Sequence, residues 1–153
     1  MKLPVYLTLL AESETTLARS FRQVADAHGD EPDVHFLCLT LAQQCEDRRK
    51  KLDPVIARYG GAATDDEPER LHADAIEEPR SGPLGLLRDL QDLYLLASFV
   101  DITWTAVKQA AMGLRDTELV AAVERCEGDT GVQLAWLTTR LKQAAPQALI
   151  AAS

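Results

Sequence analysis

Residues 62–83 read AATDDEPERLHADAIEEPRSGP, and the class of fold turns on them. Acids, prolines, glycine and serine crowd this stretch, and at most one short helical turn, near 69–76, fits its pattern. The segments on either side are helical in period and fall into two pairs, each joined by a short turn. A connection of this length is uncommon in a compact domain and usually serves a purpose. Between two helical hairpins, its expected purpose is to travel the full length of a bundle.

Working toward the N-terminus, a helix is expected over about 32–59. Val34, Cys38, Leu41, Cys45, Arg48, Leu52, Val55 and Tyr59 recur at intervals of three and four, which places them on one face. Pro54 interrupts this row at a cost of roughly 3 kcal/mol, which predicts a kink or an early end. Before it, a helix over about 4–27 carries Leu3, Leu7, Leu10, Glu14, Leu17, Phe21 and Val24 on one face. Gly29 stops that helix and Pro32 starts the next. The opening MKLPVYLTLLA resembles a leader peptide only faintly, and its apolar residues continue in helical period into the rest of the segment.

Toward the C-terminus, a helix over about 84–113 has two apolar rows. Leu86, Leu90, Leu93, Ala97, Val100, Trp104, Val107 and Ala111 form one. Leu95, Phe99, Ile102 and Ala106 form the other. A helix apolar on two sides is covered on both, either by the long connection or by a second copy of the chain. The last helix is expected over about 117–144 after an Asp116 or Thr117 cap. Its row is Leu119, Val123, Cys126, Thr130, Gln133, Leu137 and Leu141. Gly128 and Gly131 lie within it and predict a bulge or a close helix contact. Pro146 is expected to end it.

The composition agrees with a single all-α domain. Of 153 residues, 46% are hydrophobic and only 5% aromatic, which favours packed helices over a sandwich. The net charge of −8 makes nucleic acid and anionic membrane surfaces poor partners. The basic run Arg48, Arg49, Lys50, Lys51 is flanked by acids and reads as an ion-paired face. Three cysteines, an odd number without framework spacing, point to a reducing cytoplasm.

Short, long and short connections are the one-crossover arrangement of a four-helix bundle. The mid-row glutamate in AESETTLARSF, the AHGDEPDV turn, the RRKKLDPVIARYGG ending, the LRDTEL turn and LAWLTTRLK in the last helix together resemble the ferritin-like superfamily. The resemblance covers nearly all of the chain apart from the connection and the tail. It implies an interior metal pair, held by one Glu on each of two helices and Glu-x-x-His on each of the others. Carried onto this chain, those positions are Glu14, then Cys45 and Arg48, then Val100, then Thr130 and Gln133. Only Glu14 keeps a ligand type. Valine binds no metal, and arginine carries a fixed positive charge where a cation would sit. No metal is therefore expected. Instead, a Glu14–Arg48 ion pair is expected to fill the site, with Thr130 and Gln133 as hydrogen-bond partners.

Other constellations are weaker. His28, His35 and His72 are scattered and read as capping or surface residues. The pairs Glu124/Glu127 and Asp89/Asp92 have i, i+3 spacing, as exposed acidic helix faces often do. The cysteines Cys38, Cys45 and Cys126 read as small core residues. The leading functional expectation is a non-catalytic, homodimeric scaffold or partner-binding module, with Leu95, Phe99, Ile102 and Ala106 as the dimer face. The alternatives are an iron or manganese protein using Glu14, Cys45 and Glu46, and a small-ligand binder near Trp104 and Trp136.

Overall fold

The computed structural model describes residues 1–60, 76 and 78–152. Among the described residues the chain forms four α-helices and one π-helical turn, with no strand: α1 Leu3–Ala27, α2 Pro32–Arg58, α3 Gly82–Gly113, α4 Thr117–Pro146, and the π turn Gln147–Ala151. Each helix bound lies within two residues of the one read from the pattern. The helical turn expected near 69–76 and most of the connecting stretch lie outside the described residues.

Prolines set three of the starts. Pro4, Pro32 and Pro83 each occupy one of the first two helical positions, where a missing N–H costs nothing. The α3–α4 turn is closed by the chain itself. Arg115 N–H donates to the Met112 carbonyl, and Asp116 N–H to that of Ala111, in the paired pattern of a Schellman motif. Arg115 holds φ +57°, a left-handed conformation that glycine normally fills. Asp116 then caps α4 by accepting from the Leu119 N–H at 3.0 Å.

Cross-helix bonds fix how the helices run. Glu14 meets Arg48 and Ala25 meets His35, so α1 and α2 are antiparallel. Trp104 meets Glu14 and Asp89 meets His28, so α1 and α3 are antiparallel as well. Asp101 meets Thr130 and Lys108 meets Glu127 between α3 and α4. Arg140 meets Asp33 between α4 and α2. Each helix is thus antiparallel to two neighbours, and α2 and α3 run parallel. The end of α2 lies at one end of the helix array, where the Tyr59 hydroxyl donates to Asp116. The residues before α3 lie at the other end, where Arg80 binds Asp89.

The apolar rows meet in one core, with Leu10, Leu17, Phe21, Leu90, Leu93, Leu119 and Leu137 fully excluded from water. Each such side chain contributes about 1.5–3 kcal/mol relative to exposure. Ile76 joins this core, and its N–H donates to Ser20 Oγ. Gly85 is required by packing, because a Cβ there would lie 2.8 Å from the Arg80 Cβ.

Three local expectations change and a fourth is refined. Pro54 does not end α2, which continues to Arg58. Gly128 and Gly131 mark neither a bulge nor a close contact within the chain. Both lie in regular helix, and a Cβ built at either meets no other part of the described residues within 4 Å. Pro146 is the last residue of α4, as expected, but the chain does not leave the helical path there. Its φ of −62° is helical, and beyond it the backbone widens into the π turn, closed by Ala152 N–H donating to the Gln147 carbonyl at 2.8 Å. The buried row of α4 reaches Arg140 rather than Leu141, because the Arg140 guanidinium binds Asp33 and Glu31 at the start of α2. No helix among the described residues is long and apolar enough to cross a membrane.

Candidate functional site

At mid-length, the four helices each send one polar side chain inward. Glu14 comes from α1, Arg48 from α2, Trp104 from α3 and Gln133 from α4, and none is more than 1% exposed. Arg48 Nε donates to Glu14 Oε1 at 2.9 Å, and the Trp104 indole Nε1 donates to the same oxygen at 2.9 Å. Arg48 Nη2 donates to Gln133 Oε1 at 3.2 Å and to Cys45 Sγ at 3.3 Å. The Gln133 amide reaches back to α2, donating to the Leu41 carbonyl at 3.4 Å and to Gln44 Oε1 at 3.3 Å. Two charged atoms of the cluster, Glu14 Oε2 and Arg48 Nη1, have no hydrogen-bond partner among the described residues.

The electrostatics follow from burial. Loss of water is the largest effect and works against the Arg48 charge, but the charge and hydrogen bond of Glu14 together with Cys45 and Asp129 outweigh it, so the guanidinium pKa rises above its ordinary value. The Cys45 thiol is pushed up to about 12, first by burial and then by the Glu14 charge. Cys38 is also pushed up to about 12, by burial and then by Asp33. Burial raises Cys126 too. All three thiols are free and buried.

The structure brings Glu14, Cys45, Arg48 and Gln133 together. Val100 is fully buried and adds only hydrocarbon. Thr130 does not join the cluster. It faces α3 and donates to Asp101 Oδ1 at 2.5 Å and to the Glu127 carbonyl at 2.9 Å. Glu46 also stands apart, on the outer side of α2, where it pairs with Arg22 at 2.9 Å. The trio Glu14, Cys45 and Glu46 is therefore not assembled. Among the described residues no group of three or more His, Cys, Asp or Glu side chains is placed to hold a metal ion. The ligand-position residues do not fit a carboxylate-bridged metal pair. They supply one carboxylate, already bonded to a guanidinium and an indole, and the guanidinium keeps its charge at any physiological pH.

A second polar cluster was not legible as one. Asp89 was expected on an exposed acidic face, yet it is fully buried. Its Oδ2 contacts His28 Nε2 at 2.8 Å and accepts from the Arg80 N–H at 3.0 Å, while its Oδ1 accepts from Arg80 Nη1 at 2.9 Å. His28 caps α1 but is itself only 2% exposed. His35 Nδ1 contacts the Ala25 carbonyl in the last turn of α1 at 2.7 Å. His72 lies outside the described residues. The signal for Asp89 was its place one turn before Leu93 and two turns before Leu96, which puts it near the buried side of α3. The apolar second row hid that signal by leaving no polar face for comparison.

That second row is uncovered where it is bulkiest. Leu95 is 68% and Ile102 62% exposed. Phe99 is half-buried, and Ala106 borders an apolar cleft of about 360 Å³ with Leu3, Tyr6 and Leu114. Trp104 is spent on Glu14, and Trp136 is half-buried on α4. Neither tryptophan lines this cleft or the grooves of about 580 and 650 Å³ elsewhere on the surface. Comparison with protein-family models, with curated proteins and with solved structures returned no match.

Proposed function

We propose that the chain is a metal-free bundle of the ferritin-like type, with residues 60–83 as its crossover, acting as a non-catalytic homodimeric scaffold. The observation that carries this reading is the Arg48 guanidinium inside the four helices, bonded to the single carboxylate at that level. A divalent cation placed there would meet a fixed positive charge and hydrocarbon from Val100. With its centre closed in this way, the bundle has its outer surface left for function. The stripe of Leu95, Phe99, Ile102 and Ala106 on α3 is the face for a second copy.

Elemental analysis of protein purified without chelator tests the first half. Iron, manganese and zinc are expected far below one ion per chain, and a stoichiometric metal would overturn the reading. Light scattering tests the second half, with a mass twice the 16.8 kDa of the chain expected.

A further inference from the structure

The basic run expected to be an ion-paired face is only half paired. Arg48 is bonded to Glu14 and Arg49 to Asp53, while Lys50 and Lys51 form no hydrogen bond or ion pair among the described residues. Lys50 lines a groove of about 580 Å³ between α1 and α2, and Arg19 of α1 lines the same groove. Arg19 is also exposed and without a partner among the described residues. Like charges on neighbouring helices work against packing, so the contact of α1 with α2 does not account for them.

The Arg22–Glu46 ion pair bridges the groove and fixes its register. Arg19 lies one turn before Arg22, and Lys50 one turn after Glu46. Because the two helices are antiparallel, both cations stand on the same side of the bridge, at one level about 5 Å from it. Ala18 is buried and lines the groove, and its small side chain leaves room between them.

Two more guanidiniums border this level. Arg22 binds Glu46 through Nε and Nη2, leaving Nη1 unbonded among the described residues. Arg49 binds Asp53 through Nη1, leaving Nε and Nη2. An ion-paired guanidinium with spare N–H groups can still donate to a second anion.

Carboxylates limit what fits. Asp26 lies one turn beyond the bridge in one direction and Asp53 two turns in the other, and both line the groove. An extended polyanion would run onto them, whereas a compact dianion fits between the bridge and Asp53. The groove is in the size range of small-molecule sites, which leaves room for an organic body beside the charge.

We propose that the α1–α2 groove binds a small phosphate monoester, its phosphate held between Arg19 and Lys50, with the spare N–H groups of Arg22 and Arg49 as further donors. Arginine and lysine both serve as phosphate binders. The site lies apart from the closed centre and from the α3 stripe, so it depends on neither.

Calorimetric titration with glycerol 3-phosphate and glucose 6-phosphate tests the proposal, at an ionic strength held constant with chloride. One saturable site per chain is expected, with inorganic phosphate bound more weakly. Arg19→Gln and Lys50→Gln are each expected to raise Kd at least about tenfold, and Lys142→Gln on α4 to leave it unchanged. Neither Arg19 nor Lys50 makes a bond among the described residues, so circular dichroism is expected to stay the same in both variants. No saturable binding of either ester, or binding indifferent to both substitutions, overturns the proposal. Equal affinity for inorganic phosphate overturns the organic body. Tighter binding of a poly-glutamate peptide overturns the compact ligand in favour of an acidic partner.

Discussion

Arg48 Nε donates to Glu14 Oε1 at 2.9 Å, with Glu14 fully buried and Arg48 only 1% exposed. Such a pair is a constraint more than a source of stability. Each ion loses its water, and mutual attraction roughly offsets that loss only when the remaining polar atoms are served. Here Glu14 Oε2 and Arg48 Nη1 are left without partners among the described residues.

Breaking the pair is therefore expected to cost far more than removing it. Glu14→Ala strands a buried guanidinium and should lower the unfolding free energy by about 3–5 kcal/mol. The double variant Glu14→Leu with Arg48→Met should be within about 1 kcal/mol of the unaltered protein, or more stable by up to about 4 kcal/mol. Urea unfolding followed by circular dichroism separates these outcomes. A double variant as unstable as Glu14→Ala would show that the pair itself holds α1 to α2.

The thiols make a separate prediction. Cys45 and Cys38 have pKa values pushed up to about 12, and all three cysteines are buried. A thiol that stays protonated and out of water is a poor nucleophile. At pH 8 an aromatic disulfide reagent should react with none of the three in the folded protein and with all three in urea. Fast reaction of any thiol in the native state would show that the helices open locally around it.

The helices were legible because punctuation and period agreed. Gly29 and Pro32 bracket one turn, and Gly113 and Asp116 the other. The Glu14 and Arg48 rows could be paired by level because the two helices share a short turn. Asp89 resisted the same reasoning, since His28 and Arg80 reach it from a helix end and from the long connection, at separations no helical period encodes. Trp104 was read as a core residue in the row of Val100. Its indole N–H needed an acceptor, and one turn beyond Val100 that acceptor is Glu14. Gly128 and Gly131 were misread because glycines in a helical row mark a local cost without showing what, if anything, packs against them.

The α3–α4 turn offers a substitution that should stabilise. Arg115 adopts φ +57°, where its Cβ crowds the backbone, and among the described residues no hydrogen bond or ion pair holds its side chain there. Glycine at that position keeps both bonds of the turn, Arg115 N–H to Met112 and Asp116 N–H to Ala111, without the steric cost. Arg115→Gly is expected to raise the unfolding free energy by roughly 0.5–1 kcal/mol, less the extra chain entropy of glycine. A loss of stability in thermal unfolding would mean that the arginine stem packs usefully on the helix ends.

Asp116 should dominate one part of the acid response. The Tyr59 hydroxyl, the Leu119 N–H and Arg58 hold its pKa at about 2, below the ordinary 3.8. Because the unfolded chain takes up this proton more readily, the contribution is fully present above pH 3.8. It is lost as pH falls toward about 2. Asp116→Asn keeps an oxygen able to cap α4 but removes the titration. The variant should be less stable at neutral pH, where the Arg58 and Tyr59 contacts weaken, and its stability should change less between pH 4 and pH 2. Unfolding free energies measured across that window decide the matter. An acid limb of equal slope in both proteins would assign the acid sensitivity to groups other than Asp116.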